Sequence, residues 1–105
     1  MVGQFADTAQ ISPDGKEVLV SGPIEWEDDE FGAVVVARIS KEGVTGSGAS
    51  VFVQKPAAMW EATVTVHGNQ TFTAGKAAAK ANATVSLADG GVEPYNWPDD
   101  VQLLA

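Results

Sequence analysis

The stretch AAAKANATVSL, residues 77–87, alternates apolar and polar side chains with a period of two. Every odd position from Ala77 to Leu87 is apolar, and the even positions after Ala78 are polar. Alanine and lysine favour helices, but a helical face recurs every 3.6 residues, whereas successive strand side chains point to opposite faces. The stretch is therefore predicted to be a half-buried β-strand that turns small side chains inward.

A helix over residues 74–83, giving an α+β fold, is the competing interpretation. Gly75 and Asn82 are poor helix formers, and the apolar period does not fit a helix. Elsewhere, Gly, Pro, Asn and Asp separate short β-branched runs, which is typical of an all-β sandwich or barrel. Strands are predicted at residues 8–11, 16–25, 33–41, 44–54, 59–67, 70–74, 77–87 and 92–104.

Pro94 and Pro98 interrupt the last of these segments. Proline cannot donate to a strand ladder, so residues 92–104 are predicted to lie at a sheet edge. No linker or internal repeat divides the chain, and residues 1–105 are expected to form one domain. We predict an all-β fold, a β-sandwich of about seven to eight short antiparallel strands.

Residues 74–90 resemble the late strands of bacterial immunoglobulin-like domains. In those domains a glycine and alternating small residues precede a polar turn that contains glycine. Here the matching features are Gly75, the alternating alanines, and the turn at Asp89-Gly90. The resemblance implies an immunoglobulin-like β-sandwich that acts as a structural or adhesive module and has no catalytic residues.

The inward phase of each predicted strand gives the expected core. Trp60 lies in the apolar phase of its strand and is predicted to fill the space left by the small side chains of residues 77–83. The full set is Val18, Val20, Ile24, Val35, Ile39, Val51, Val53, Trp60, Val64, Val66, Phe72, Ala81, Ala83, Val85 and Leu87.

Composition excludes several classes of partner. The formal net charge is −8 and there are only six Lys and Arg residues, so nucleic acid and anionic membrane surfaces are not expected to bind. No apolar run approaches the roughly 20 residues of a membrane helix, and no membrane insertion is expected. The first residues show no signal-peptide pattern, which leaves extracellular, virion and cytoplasmic locations open. With no cysteine, disulfides and thiol chemistry are absent.

His67 is the single histidine, the usual general base near neutral pH. It ends a predicted strand on the polar face, beside the Gly68-Asn69 turn, where a solvated surface position is expected. The Gly-x-Ser-x-Gly nucleophile motif is absent. The protein is therefore predicted not to be an enzyme.

An acidic stretch, residues 25–30, offers a candidate metal site. Glu27, Asp28, Asp29 and Glu30 supply the oxygen ligands that Ca²⁺ prefers, although the order of an EF-hand loop is missing. The alternative is a solvated charged loop. No other cofactor is predicted.

Three aromatic residues form the candidate ligand-binding set, namely Trp26, Tyr95 and Trp97. Tyr95 and Trp97 are two residues apart, so an extended chain places both on one face. Exposed, they would form a stacking platform for sugar rings; buried, they would cover the end of the sandwich.

The predicted function is a non-enzymatic structural or protein-interaction module, such as a subunit of a surface, appendage or virion assembly. Its partner would be another protein or a second copy, bound at an edge strand in residues 92–104 or 44–54. One alternative is a carbohydrate-binding module that uses the three aromatics. A second alternative is an acidic, Ca²⁺-dependent adhesive domain.

Overall fold

A computed structural model describes all of residues 1–105 and contains β-strands as its only regular elements. No helix with the length and apolar character needed to cross a membrane is present. The nine strands are β1 (Val2–Gly3), β2 (Thr8–Ile11), β3 (Glu17–Glu25), β4 (Glu30–Lys41), β5 (Val44–Ala49), β6 (Val53–Gln54), β7 (Met59–Val66), β8 (Gly75–Leu87) and β9 (Val92–Leu104).

Seven of these strands close into a β-barrel in the order β3-β2-β9-β8-β4-β5-β7. Closure occurs where β7 pairs antiparallel with β3, from Glu17 opposite Thr65 to Pro23 opposite Met59. The β2–β9 pair is parallel, and β1 and β6 add short pairings to β3 and β4. The predicted β-sandwich and its immunoglobulin-like topology are therefore wrong, because the sheet returns to its own first strand instead of splitting into two packed layers.

The strand prediction for residues 77–87 is confirmed, and no helix forms there. Along β8, Ala77, Ala79, Ala81, Ala83 and Val85 are all buried inside the barrel. The neighbouring strand β9 places aromatic side chains beside two of these alanines. In the pairing of β8 with β9, Trp97 lies opposite Ala81 and Tyr95 lies opposite Ala83. Small residues on one strand thus adjoin large ones on the next.

Trp60 is fully buried, as predicted, and belongs to an aromatic cluster. Its ring centroid lies 5.2 Å from that of Phe5 and 5.9 Å from that of Trp97, with both pairs packed edge to face. Edge-to-face packing at these separations is favourable for aromatic rings. Trp60 therefore packs with Phe5 and the partly buried Trp97 in the interior, and does not fill the space beside the alanines alone.

Ala81→Leu is expected to lower the free energy of unfolding by about 1–3 kcal/mol, because added methylenes would overpack the interior beside Trp97. Ala78→Leu is the matched control, since Ala78 lies on the same strand but is exposed. Urea denaturation of both variants measures the difference. Equal stabilities for the two variants would contradict the inward orientation of Ala81.

Most of the expected core is buried, with one clear error. Val53 and Leu87 are only partly buried, and Val51 is 86% exposed. The predicted strand 44–54 is interrupted after Ala49 and resumes only at Val53, so its alternation loses phase at Val51. Residues 70–74 likewise form a loop, although Phe72 is buried and its N–H donates to the carbonyl of Gly15.

The first residues of the chain enter the barrel, which the sequence analysis did not predict. Met1 and Phe5 are buried. The Gln4 carbonyl accepts a hydrogen bond of 2.9 Å from the Trp60 indole N–H. Gly22 makes room for this approach, because a Cβ at that position would overlap the Gln4 carbonyl oxygen. The N-terminal segment therefore serves as part of the core.

The prediction that residues 92–104 lie at an edge is confirmed for Val92–Val101 and wrong for the last three residues of β9. Only the end of β9, Gln102–Leu104, also pairs with β2, while its earlier residues pair with β8 alone. The Gln102 N–H points away from β8, toward the Asp7 carbonyl. The backbone nitrogens of Pro94 and Pro98 point the same way as that of Gln102, because both prolines lie an even number of residues before it. Each proline thus occupies a position where an N–H would face the open edge.

Candidate interaction surfaces

The three aromatic residues predicted to bind a ligand, Trp26, Tyr95 and Trp97, are each partly buried. The Trp26 indole N–H donates to the Ala57 carbonyl at 2.6 Å. The Trp97 ring packs on Gly3, where a Cβ would come within 2.6 Å of the ring, and its indole nitrogen is buried without a hydrogen-bond partner. Tyr95 and Trp97 do share a face, but it is the inward one. These placements present no flat platform to a sugar, and carbohydrate binding stays a prediction.

Tyr95 faces a group of carboxylates. Its hydroxyl donates to Glu93 Oε2 at 3.0 Å. That hydrogen bond, burial, and the negative charges of Glu93, Glu30 and Glu27 together raise the pKa of Tyr95 to about 12. The phenol therefore remains neutral and keeps donating across the whole physiological range.

The predicted metal ligands do not converge. Glu30 points into the barrel and pairs with the N-terminal ammonium of Met1 at 2.7 Å, whereas the exposed Glu27 lies 4.0 Å from that ammonium. Asp28 and Asp29 are exposed in the turn before β4. Nowhere do three or more acidic or histidine side chains form a group that could hold a metal ion. Calcium binding by this stretch stays a prediction without support from the geometry.

Glu30 is ionised inside the barrel mouth. Burial alone would raise its pKa, but the Glu27 N–H donates to Oε1 at 2.7 Å and the Met1 ammonium neutralises the charge. These contacts outweigh burial and hold the pKa of Glu30 below its ordinary value. Glu30 is therefore a structural carboxylate that fixes the start of β4 to the first residue.

An exposed apolar cluster adjoins this end of the barrel, formed by Phe31, Val51 and Phe52 and called here the Phe patch. Their exposed fractions are 49%, 86% and 46%, and the two phenyl centroids lie 6.0 Å apart. Phe31 occupies a bulge in β4, where the register with β8 shifts. The Phe52 ring covers Gly32, whose missing side chain leaves the space for it. The backbone thus holds both rings outward.

Acidic groups flank the Phe patch. The turn of residues 27–30 precedes Phe31, and the Ala88 N–H donates to the Asp29 carbonyl, which brings the Asp89 turn alongside. The nearby Lys55 ammonium is occupied by the carbonyls of Glu27 and Asp28, at 2.7 and 3.3 Å. A partner of this surface must therefore be apolar at its centre and tolerate or complement negative charge at its rim.

A second apolar surface, called here the groove, encloses about 790 Å³. Its apolar lining includes Ile11, Pro13, Leu19, Phe72 and Ala74, and Leu19 is 45% exposed. Two ammonium groups lie close by. Lys16 donates to the carbonyls of Asn69 and Gln70, and Lys41 donates to the Thr73 hydroxyl.

The Phe patch and the groove lie at opposite ends of the molecule. β8 begins at Gly75, next to the groove residue Ala74, and ends at Leu87, opposite Glu30 and beside Phe31. A strand of this length spans about 40 Å, and the longest dimension of the protein is 43 Å. The two surfaces therefore cannot contact each other within one chain.

His67 is exposed at the end of β7. Its ring nitrogens lie 3.3 Å from the Thr45 hydroxyl and 2.9 Å from the Ser47 hydroxyl. Two hydroxyl partners on the neighbouring strand fix the ring against the barrel wall.

Comparison with known proteins gives no match to a family model, a curated protein or a solved structure. The class of the protein is therefore defined by its own fold, a closed seven-strand β-barrel with two additional strands. Its exposed surfaces are therefore the guide to its function.

Proposed function

We propose that this protein is a non-enzymatic structural subunit that assembles head to tail with copies of itself. The Phe patch of one copy docks in the groove of the next. The observation that carries this proposal is the joint exposure of Phe31, Val51 and Phe52 on a chain with a net charge of −8. A contiguous exposed apolar cluster with a polar rim is typical of an interaction site.

The two phenyl rings are the expected anchors of the contact. Burying one large apolar side chain completely contributes about 1.5–3 kcal/mol, and each ring is about half exposed in the single chain. Interfaces draw most of their affinity from a few such aromatic anchors that fill pockets on the partner. The groove supplies a pocket of the matching apolar character.

A second copy is the partner because one chain carries both complementary surfaces. The patch has carboxylates at its rim, and the groove has beside it the Lys16 ammonium, which no carboxylate pairs. Lys41 is paired with Glu42 at 3.4 Å, and Glu17 also lines the groove, so the match between the two surfaces is chiefly apolar. Two different surfaces at opposite ends make a heterologous contact, which continues into a ring or a filament. Addition of a strand at the open edge of β9 is less favourable, since Pro94 and Pro98 present no N–H there.

The double variant Phe31→Ser/Phe52→Ser is expected to abolish self-association. Sedimentation velocity over a concentration series should show the wild type growing beyond a monomer and the variant remaining monomeric at every concentration. Met59→Ser is the matched control, because Met59 is 55% exposed but outside the patch, and it should assemble like the wild type. A wild type that stays monomeric throughout, or a variant that assembles equally well, would overturn the proposal.

A further inference from the structure

The outer face of the β4–β8 pair carries two cations set directly against each other. The register places Arg38 opposite Lys80, and both side chains are exposed. Like charges opposite each other on neighbouring strands are destabilising. This pair stands out in a chain with fourteen acidic residues and only six Lys and Arg residues.

No carboxylate neutralises this pair. The ion pairs of the protein involve the Met1 ammonium, Lys41 and Lys76. The two acidic positions of β9 nearest in register are Asp99, whose Oδ1 accepts from the Asp100 N–H, and Asp100, which Lys76 engages at 3.4 Å. Arg38 and Lys80 thus share the outer face of the sheet without a carboxylate partner, and one guanidinium N–H of Arg38 donates to the Asn82 side-chain amide at 3.1 Å.

A concavity of about 220 Å³ lies between them. Its lining includes both cations and the polar residues Ser40, Thr45 and His67, but most of the exposed lining surface is apolar. Small residues such as Ala78 leave the space open. Hydroxyl groups can donate hydrogen bonds, and an arginine guanidinium binds oxyanions through two parallel N–H groups. The two cations and the Ser40 hydroxyl are therefore the groups of this largely apolar concavity that could bind an anion.

We propose that this concavity binds a single oxyanion of the phosphate or carboxylate type. Arg38 and Lys80 supply the charge, and the Ser40 hydroxyl adds a donor, whereas the Thr45 hydroxyl is already beside the His67 ring. A bound oxyanion would offset the repulsion between the two cations, because each of them would attract the negative charge. The site is separate from the Phe patch and the groove, and it does not depend on assembly.

Equilibrium dialysis with radiolabelled inorganic phosphate, at constant ionic strength, tests the site. We expect saturable binding of one phosphate per chain. Arg38→Gln should weaken it about tenfold or more, the effect of losing a charged hydrogen bond. Lys55→Gln is the control, because Lys55 lies beside the Phe patch, where its ammonium donates to the carbonyls of Glu27 and Asp28; it should change the affinity less than twofold. Non-saturable binding, or equal losses in the two variants, would overturn the proposal.

The source of the oxyanion is tested by repeating the dialysis at several protein concentrations. If the natural ligand is a free anion, the apparent phosphate affinity stays constant. If it is a carboxylate of a second copy, phosphate binding weakens as the protein concentration rises, because the two compete. Both outcomes require the site and support it. Circular dichroism of Arg38→Gln should match that of the wild type, so that any loss of binding is local.

Discussion

Replacing Glu30 with leucine is expected to lower the free energy of unfolding by about 3–5 kcal/mol. The carboxylate and the Met1 ammonium form a 2.7 Å ion pair in which both groups are fully shielded from solvent. Removing one partner leaves the other charge buried and uncompensated, which costs more than the pair itself contributes. The Glu27 N–H would lose its acceptor as well. Chemical denaturation at neutral pH measures the loss.

Glu27→Leu is the control for this result. Glu27 lies 4.0 Å from the same ammonium, but its side chain is 68% exposed. Exposed ion pairs contribute little, so this variant should stay within about 0.5 kcal/mol of the wild type. Equal losses in the two variants would show that burial of Glu30 is not the cause.

The same ion pair makes the stability depend on pH. The pKa of Glu30 is lower in the folded protein than its ordinary value of 4.5. The stabilising contribution is therefore present above that ordinary value and is lost as the pH falls through the lower folded pKa. The stability difference between the wild type and Glu30→Leu should accordingly shrink on acidification below about pH 4.5. A difference that stays constant down to pH 2 would contradict the ionised state of Glu30.

Trp60→Ala is expected to destabilise the barrel by about 3–5 kcal/mol. Trp60 is 1% exposed, and its loss would leave a cavity between Phe5 and Trp97. It would also remove the 2.9 Å hydrogen bond that ties the Gln4 carbonyl to the interior. Urea denaturation gives the magnitude, and amide hydrogen exchange should show that the N-terminal segment loses protection first.

Trp26→Ala is the matched control for Trp60→Ala. Trp26 also donates its indole N–H to a backbone carbonyl, that of Ala57, but it is only partly buried at the edge of the core. Trp26→Ala should therefore lower the free energy of unfolding by clearly less than Trp60→Ala. If the two variants were equally stable, the barrel interior would not be organised around Trp60.

The alternation of residues 77–87 predicted β8 correctly, and the prolines at positions 94 and 98 located the open edge of β9. Closure of the barrel was not predictable in the same way. A sandwich and a barrel both require strands with one inward face, so their alternation patterns are alike. The decisive contact, β3 with β7, joins residues far apart in the sequence. Local periodicity carries no information about such a pairing.

The Phe patch was missed because Val51 was assigned to the core by extending one strand through residues 44–54. A signal for it is present in the sequence. Val51, Phe52 and Val53 are consecutive apolar residues, and a strand with one buried face cannot turn all three inward. The Glu30 ion pair has no comparable signal, since it depends on the fold bringing the first residue to the start of β4.

Mixing two variants that each retain one surface distinguishes head-to-tail assembly from every other mode of self-association. The Phe31→Ser/Phe52→Ser chain keeps the groove, whereas Leu19→Glu places a charge in the groove and keeps the Phe patch. Each variant alone should sediment as a monomer. The equimolar mixture should form a one-to-one dimer that grows no further, because each chain then offers one intact surface. A mixture that stays monomeric while the wild type assembles would contradict docking of the Phe patch in the groove.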